Sequence, residues 1–143
     1  MSESFNKGDL SEQDIITKYV LPAIERAGWD VALQVRQELS LTAGRIQVQG
    51  SVVSRDTPKR ADIVLYRKPG IPLAVIEAKD NKHSVADGLQ QALGYSEMLQ
   101  VPFAFSTNGD AFEFHDQTLS SGQLQSTLNL DQFPSPDELW SHY

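Results

Sequence analysis

Cysteine is absent from the chain, which excludes disulfides, thiolate nucleophiles and cysteine-ligated zinc together. Long hydrophobic runs are missing too: no apolar stretch approaches the ~20 residues that cross a bilayer. The opening MSESFNKGDL has no basic segment followed by an apolar one, so no secretory signal is expected there. The expected compartment is the cytoplasm, with no membrane partner. There is no GxGxxG and no GxxxxGK[ST], so this stretch carries neither a dinucleotide fingerprint nor an ATP-binding loop of its own. Positive charge is also short. Twelve Lys and Arg face nineteen Asp and Glu, a net charge of −7. Sequence-independent affinity for nucleic acid comes mainly from cations at phosphates, so a domain of this charge is not expected to hold DNA strongly by itself.

What remains is ordinary globular material. With 40% hydrophobic and 22% charged residues over 143 positions, the chain suits one domain with one core. Residues 1–10 read as a loose leader. Ser11 reads as an N-cap with Asp14 at the third helical position, and Ile15, Ile16, Tyr19, Val20, Ala23, Ile24 and Ala27 recur at helical spacing. Pro22 predicts a kink in this helix and Gly28 its end. Val31, Leu33 and Val35 alternate with Ala32, Gln34 and Arg36, the period of a half-buried strand, and Ile46 and Val48 repeat the pattern after a turn at Gly44. Ser54 to Lys59 reads as a polar loop.

Ala61 to Tyr66 reads as a strand, Lys68-Pro69-Gly70 as a turn, and Leu73 to Ile76 as a central strand covered on both faces. Residues 84–99 read as a second long helix with a stripe of Val85, Leu89, Ala92, Leu93 and Met98. Val101 to Ser106 and Ala111 to His115 read as strands joined by an Asn108-Gly109 hairpin. Residues 116–133 give no clear element. Ser135-Pro136-Asp137-Glu138 reads as a helix start, with a cap, a proline at the first position and acids at the positive end of the dipole. The order implies an α/β fold with a central mixed sheet flanked by helices, and no internal repeat.

Glu77 and Lys79 are the sharpest local feature. At i and i+2 they share one face of a strand, and they follow an apolar run that should be buried. Charges there are costly unless paired or metal-bound. Hairpin-like pairing of residues 61–66 with 73–79 would bring Asp62 near Glu77. Two adjacent carboxylates invite a hard divalent cation such as Mg²⁺, which takes oxygen ligands and keeps several waters. Such an ion polarises a phosphate and acidifies water, and Lys79 would position that water or offset charge on the phosphate. The plain alternative is a surface ion pair at a strand end, with Asp62 as a turn residue. Gln91 and Tyr95, at i and i+4, share a face of the following helix. They would orient the lysine, a water or a phosphate, or else be polar edge residues of an amphipathic helix. His83, His115 and His142 are too scattered for a histidine metal site. Arg60, Arg67 and Lys82 read as solvated charges, and Trp29 and Trp140 as packing anchors.

Taken in order, these elements resemble a known family. The segment KRADIVLYRKPGIPLAVIEAKDNKHSVADGLQQALGYSEMLQVPFAFSTNGDAFEFHD resembles the N-terminal nuclease domain of the restriction (R) subunit of type I restriction enzymes, and is similar to the wider RecB-like PD-(D/E)xK nucleases. Asp62 matches the family's metal-binding aspartate, with Ala61 in place of the proline. Glu77-Ala78-Lys79 matches the ExK, Gln91 to Tyr95 the QxxxY, and Thr107-Asn108-Gly109 a TNG hairpin. SEQDIITKYVLPAIERAGW resembles the opening helix, where Glu12 matches an acidic position near the site; an acid favoured at a helix N-terminus is the alternative.

The resemblance implies a restriction-endonuclease-like fold over residues 11–133 and, from 134 to 143, the start of a linker helix toward a helicase or translocase domain on the same chain. It implies a DNA endonuclease using Mg²⁺ or Mn²⁺, with Asp62 and Glu77, joined by Glu12, as metal ligands and Lys79, Gln91 and Tyr95 completing the site. ATP would be used only by the motor. The implied partners are double-stranded DNA and the methylation and specificity subunits. The alternatives are a RecB-like nuclease domain of another helicase-linked repair or defence protein, or a non-catalytic module of the same fold.

Overall fold

The computed structural model describes residues 6–41, 59–118 and 124–142. The expected strand over Ile46 and Val48 lies outside them, as does the expected loop at residues 54–58. The opening helical region begins with α1 (Glu12–Ile15), capped by Ser11 in a reciprocal box with Asp14. It passes through a widened π-type turn (Ile16–Val20) into α2 (Leu21–Arg26). Pro22 supplies the cause: it has no N–H to donate, and its ring crowds the carbonyl four residues back.

Residues 31–36 are only partly the strand that their alternation suggests. Val31–Gln34 is a single helical turn, α3, and β1 (Val35–Leu41) starts after it. Asp30 decides this, because its carboxylate accepts the N–H groups of Ala32 and Leu33 at 2.9 and 3.1 Å and nucleates a turn. Then come β2 (Lys59–Lys68), β3 (Ile71–Ala78), α4 (Leu89–Leu99), β4 (Phe103–Thr107), β5 (Ala111–Asp116), β6 (Gln125–Asn129) and α5 (Pro136–Ser141). The second long helix therefore begins at Leu89 rather than near Ser84, whose hydroxyl is engaged with Asp87 at 2.7 Å in a local turn. β6 lies in the stretch that gave no clear element.

Among the described residues the sheet has six strands in the order β1-β2-β3-β4-β5-β6. β3 and β4 run parallel and their neighbours antiparallel, so the sheet is mixed. The parallel pair needs a crossover, and α4 supplies it. Leu73 to Ala78 are all buried, as the continuous apolar run requires. One face of the sheet packs Ile63, Leu65, Ile76, Phe103 and Phe105 against Ile15, Val20 and Ile24 of the opening helices. The other packs Val64, Val75 and Ala104 against Leu89, Ala92 and Tyr95 of α4.

Both chain ends of the described region are anchored. Residues 6–10 are not loose: Lys7–Asp9 form a 3₁₀ turn, Leu10 is buried, and the Lys7 ammonium donates to the Gly109 carbonyl and the Asp110 carboxylate, both at 2.8 Å. Nor does the packing break at residue 133. Leu139 of α5 is in the core, the Trp29 indole donates to the Pro134 carbonyl at 2.9 Å, and Arg67 pairs with Asp137 at 2.9 Å. Burial of Phe133 and Leu139 holds α5, the helix expected from Ser135 onward, against the domain.

Candidate active site

β2 and β3 form an antiparallel ladder that is regular from Leu65↔Ala74 to Ile63↔Ile76. At the next position the hydrogen bonding changes character. The Asp62 N–H donates to the Glu77 carboxylate at 2.9 Å, and the Ala78 N–H donates to the Asp62 carboxylate at 2.8 Å. Side-chain oxygens thus replace carbonyls in the gap between the strands. On the other side, Glu38 takes a left-handed φ of 53° and interrupts the β1–β2 ladder between Gln37↔Ile63 and Leu39↔Ala61. Both ladders open at the level of Asp62. The alternation of β2 breaks there too, since Ala61 packs with Val64 rather than with Ile63.

The two carboxyl groups lie close enough to share a hydrogen bond. Glu77 is buried. Burial first, then the Asp62 charge, pushes its carboxyl up to about 8. Burial also raises Asp62, against the Ala78 N–H that favours its charged form. Lys79, half-buried and on the Glu77 side of β3, draws both back toward ionisation; its own N–H is tied to the Thr107 carbonyl at 2.9 Å. Glu12 is exposed at the start of α1. Its carboxyl is raised by burial and then by Asp62, and lowered by Lys79, which puts it within the electrostatic reach of those two residues.

Tyr95 is buried on α4. Its hydroxyl is raised by burial and then by Glu77, and lowered by a hydrogen bond with Gln91 one turn earlier. Asp62, Glu77, Lys79 and the Gln91–Tyr95 pair therefore share one region, and Glu12 stands at its edge. The three histidines do not gather. His142 pairs with Asp116, the His115 Nδ1 is buried without a partner, and His83 pairs with Asp80.

The donor set suits a hard cation. Two carboxyls are forced together in a poorly solvated gap where they cannot both ionise freely, which is the deficit of positive charge that a divalent ion corrects. Among the described residues no three acidic or histidine side chains gather to hold an ion by themselves, so Glu12 does not close a three-carboxylate cluster. Mg²⁺ does not require one, since one or two carboxylates with waters and substrate phosphates suffice.

Several residues that frame the site carried no assigned role in the sequence. Gly88, just before α4, packs directly on Glu77. A Cβ there would lie 3.2 Å from the Glu77 Cβ, 3.4 Å from its carbonyl and 3.0 Å from the Ser106 hydroxyl. That hydroxyl is fixed, accepting from the Gly88 N–H at 2.9 Å and donating to the Val85 carbonyl at 2.7 Å. Gly88→Ala is therefore expected to cost about 1–3 kcal/mol by overpacking and to displace Glu77. A urea titration of the variant checks the first effect and a cleavage assay the second; wild-type values in both would mean that the site has room to spare. The available signal for Gly88 was a glycine inside a stretch that reads as helix, where it is costly unless close packing requires it. The signal at Ser106 was its place at the head of the Ser106-Thr107-Asn108-Gly109 element.

Three comparisons bear on this arrangement. The family model described as type I restriction enzyme R protein N terminus matches residues 32–134. The chain is 55% identical over 139 residues to the type I restriction enzyme EcoAI endonuclease subunit of Escherichia coli, covering 96% of this chain. It superposes on a fragment structure of an HsdR subunit of a type I restriction enzyme from Vibrio vulnificus YJ016 with a TM-score of 0.77 and 37% identity over 93% of this chain. The chain spans 17% of the length of the first relative and 25% of the second.

Proposed function

The chain belongs to the family of type I restriction enzyme R protein N termini, and from that premise we propose that its carboxylate–lysine site hydrolyses DNA phosphodiester bonds with the help of Mg²⁺ or Mn²⁺. The observation that carries the reading is the interlocked Asp62–Glu77 pair beside Lys79, with Glu77 pushed up to about 8. A buried pair of this kind costs stability, and such strongly perturbed carboxyl groups gather at functional sites. The name of the Escherichia coli relative, an endonuclease subunit, supports the same chemistry.

Asp62 and Glu77 would hold the cation, each keeping one oxygen engaged by a backbone N–H that fixes its direction. When bound, the cation supplies Lewis acidity: it polarises the scissile phosphate and acidifies water. Lys79 would orient the attacking water or offset charge developing on the phosphate as the P–O bond breaks. Tyr95, steadied by Gln91, would limit where water and phosphate sit. Glu12 would add to the negative field at the rim.

DNA would be delivered rather than captured, because the chain carries a net charge of −7. In the assembled enzyme that task falls to the methylation and specificity subunits and to an ATP-driven translocase, with ATP used there and not at this site. Cleavage of incoming DNA would take place in the cytoplasm; no helix among the described residues is long and apolar enough to cross a membrane. The test is plasmid cleavage by the assembled enzyme with and without Mg²⁺. Linear product that requires the ion is expected. Equal cutting in chelator would remove the metal from the mechanism, and no cutting with ATP hydrolysis intact would favour a non-catalytic module.

A further inference from the structure

The turn between β4 and β5 touches α1, which bears Glu12, and the loop that follows Lys79. Asn108 is 5% exposed, and its polar atoms are engaged. Its side-chain amide donates to the His83 carbonyl at 2.7 Å, its side-chain oxygen accepts from the Asp110 N–H at 3.0 Å, and its carbonyl accepts from the Asn81 amide at 2.9 Å. The residues before it continue the pattern. The Thr107 carbonyl accepts from the Lys79 N–H, and the Ser106 hydroxyl bridges Val85 and Gly88. The segment from Lys79 to Gly88 is thus pinned along its length by three consecutive residues. On the opposite side the same turn meets α1: Gly109, with φ of 91°, lies so close that a Cβ would be 3.1 Å from Ile15.

Residues 80–88 contain no helix or strand, and ordering such a segment is entropically costly unless it is tied. Of these ties, the one from the Asn108 amide bridges 25 residues and meets the loop four residues after Lys79. An asparagine suits the position because it accepts within its own turn while donating outward. An ionised aspartate can only accept, and serine, although its hydroxyl can donate, is too short to reach the His83 carbonyl while accepting within its own turn.

We propose that Asn108 is a positioning residue of the nuclease site. Its amide locks the turn at residues 80–83 onto the β4–β5 hairpin and so fixes the root of Lys79 relative to Asp62 and Glu77, with the helix of Glu12 seated on the same hairpin. The inference rests on the nuclease reading above and assigns a role to the TNG element beyond the turn itself.

The test uses the full-length subunit assembled with its partners, at saturating Mg²⁺ in single-turnover cleavage of a plasmid. Asn108→Ser keeps an oxygen for the Asp110 N–H and loses the reach to His83. Its cleavage rate is expected to fall about 10- to 100-fold, the usual effect of losing a group that orients a catalytic residue. ATP hydrolysis and the half-saturating Mg²⁺ concentration should stay at wild-type values. A purely structural role would instead raise the Mg²⁺ requirement along with the loss of rate, and that result overturns the proposal. Asn81→Ala removes a second tie at a half-buried position and is expected to show the same split with a smaller loss; should Asn108→Ser fail to assemble, a wild-type rate in Asn81→Ala is decisive against it. Wild-type rates in both variants also overturn it. Glu77→Ala serves as the control: if it too cuts normally, the nuclease reading itself has failed.

Discussion

Replacing Asp62, Glu77 or Lys79 with alanine is expected to abolish DNA cleavage by the assembled enzyme, by about 10³-fold or more, while ATP hydrolysis and translocation continue. That is the scale of losing one preorganised electrostatic stabiliser or more. The separation from ATP hydrolysis follows from the motor using a different site. The carboxylates and the lysine should differ in mechanism. Asp62 and Glu77 each give one oxygen to a backbone N–H across the opened ladder, and losing either carboxylate removes half of the donor set for the ion. Calorimetry should find divalent-ion binding lost in both carboxylate variants. Lys79→Ala should bind the ion nearly as well as wild type, since it removes a cation rather than a ligand, and fail at the bond-breaking step. Linear product from circular DNA at wild-type rates in all three variants would show that other residues do the chemistry.

The second expected result concerns pH. Without a divalent ion, the protein should lose stability as pH rises from about 5 to about 8. Glu77 has an ordinary value of 4.5 and is pushed to about 8 in the fold. Between those values the folded state holds a proton that the unfolded chain has released, so stability falls with rising pH. The contribution is fully present below 4.5 and lost by the time pH passes 8. A divalent ion must expel the same proton. Its affinity should therefore rise with pH, by up to about tenfold per unit below 8, and level off above. Glu77→Gln keeps an oxygen for the Asp62 N–H and cannot ionise, so it should flatten the ion-free profile and raise the melting temperature at pH 8, at the expense of cleavage. Melting curves across pH test the first part. Calorimetry in buffers of different ionisation enthalpy tests the second, with release of about one proton expected at pH 7. An affinity independent of pH between 6 and 8 would mean that Glu77 is already ionised in the folded protein.

Much of this fold could be read from local patterns. The boxes at Ser11–Asp14 and Ser135–Glu138 form as the spacing predicts, because a cap involves only residues three apart. The apolar run at 73–76 is a central strand, buried on both faces, and the turn at residues 68–70 places β2 beside β3 in the expected antiparallel pairing. Errors fell where a nearby group outweighed periodicity. The Asp30 cap turns Val31–Gln34 into a helical turn, and the Ser84–Asp87 bond delays α4 to Leu89. β6 has weak alternation in sequence because one of its two inward positions on this edge strand is the polar Ser126.

The sequence by itself determined the family, the α/β order of elements, and the residue types at Asp62, Glu77 and Lys79, since these are matters of identity and short spacing along the chain. Only the tertiary structure decided what those residues experience. The rise of Glu77 depends on burial and on a carboxylate fifteen positions away, and neither is encoded in local pattern. The same holds for the opened ladder at Asp62, the contact of Gly88 with Glu77, and the Asn108 amide that reaches back to His83. Spacing fixes which face a side chain takes. Its solvent exposure, its charged neighbours and the groups that steady it arise only when distant segments are brought together, and those decide its chemistry.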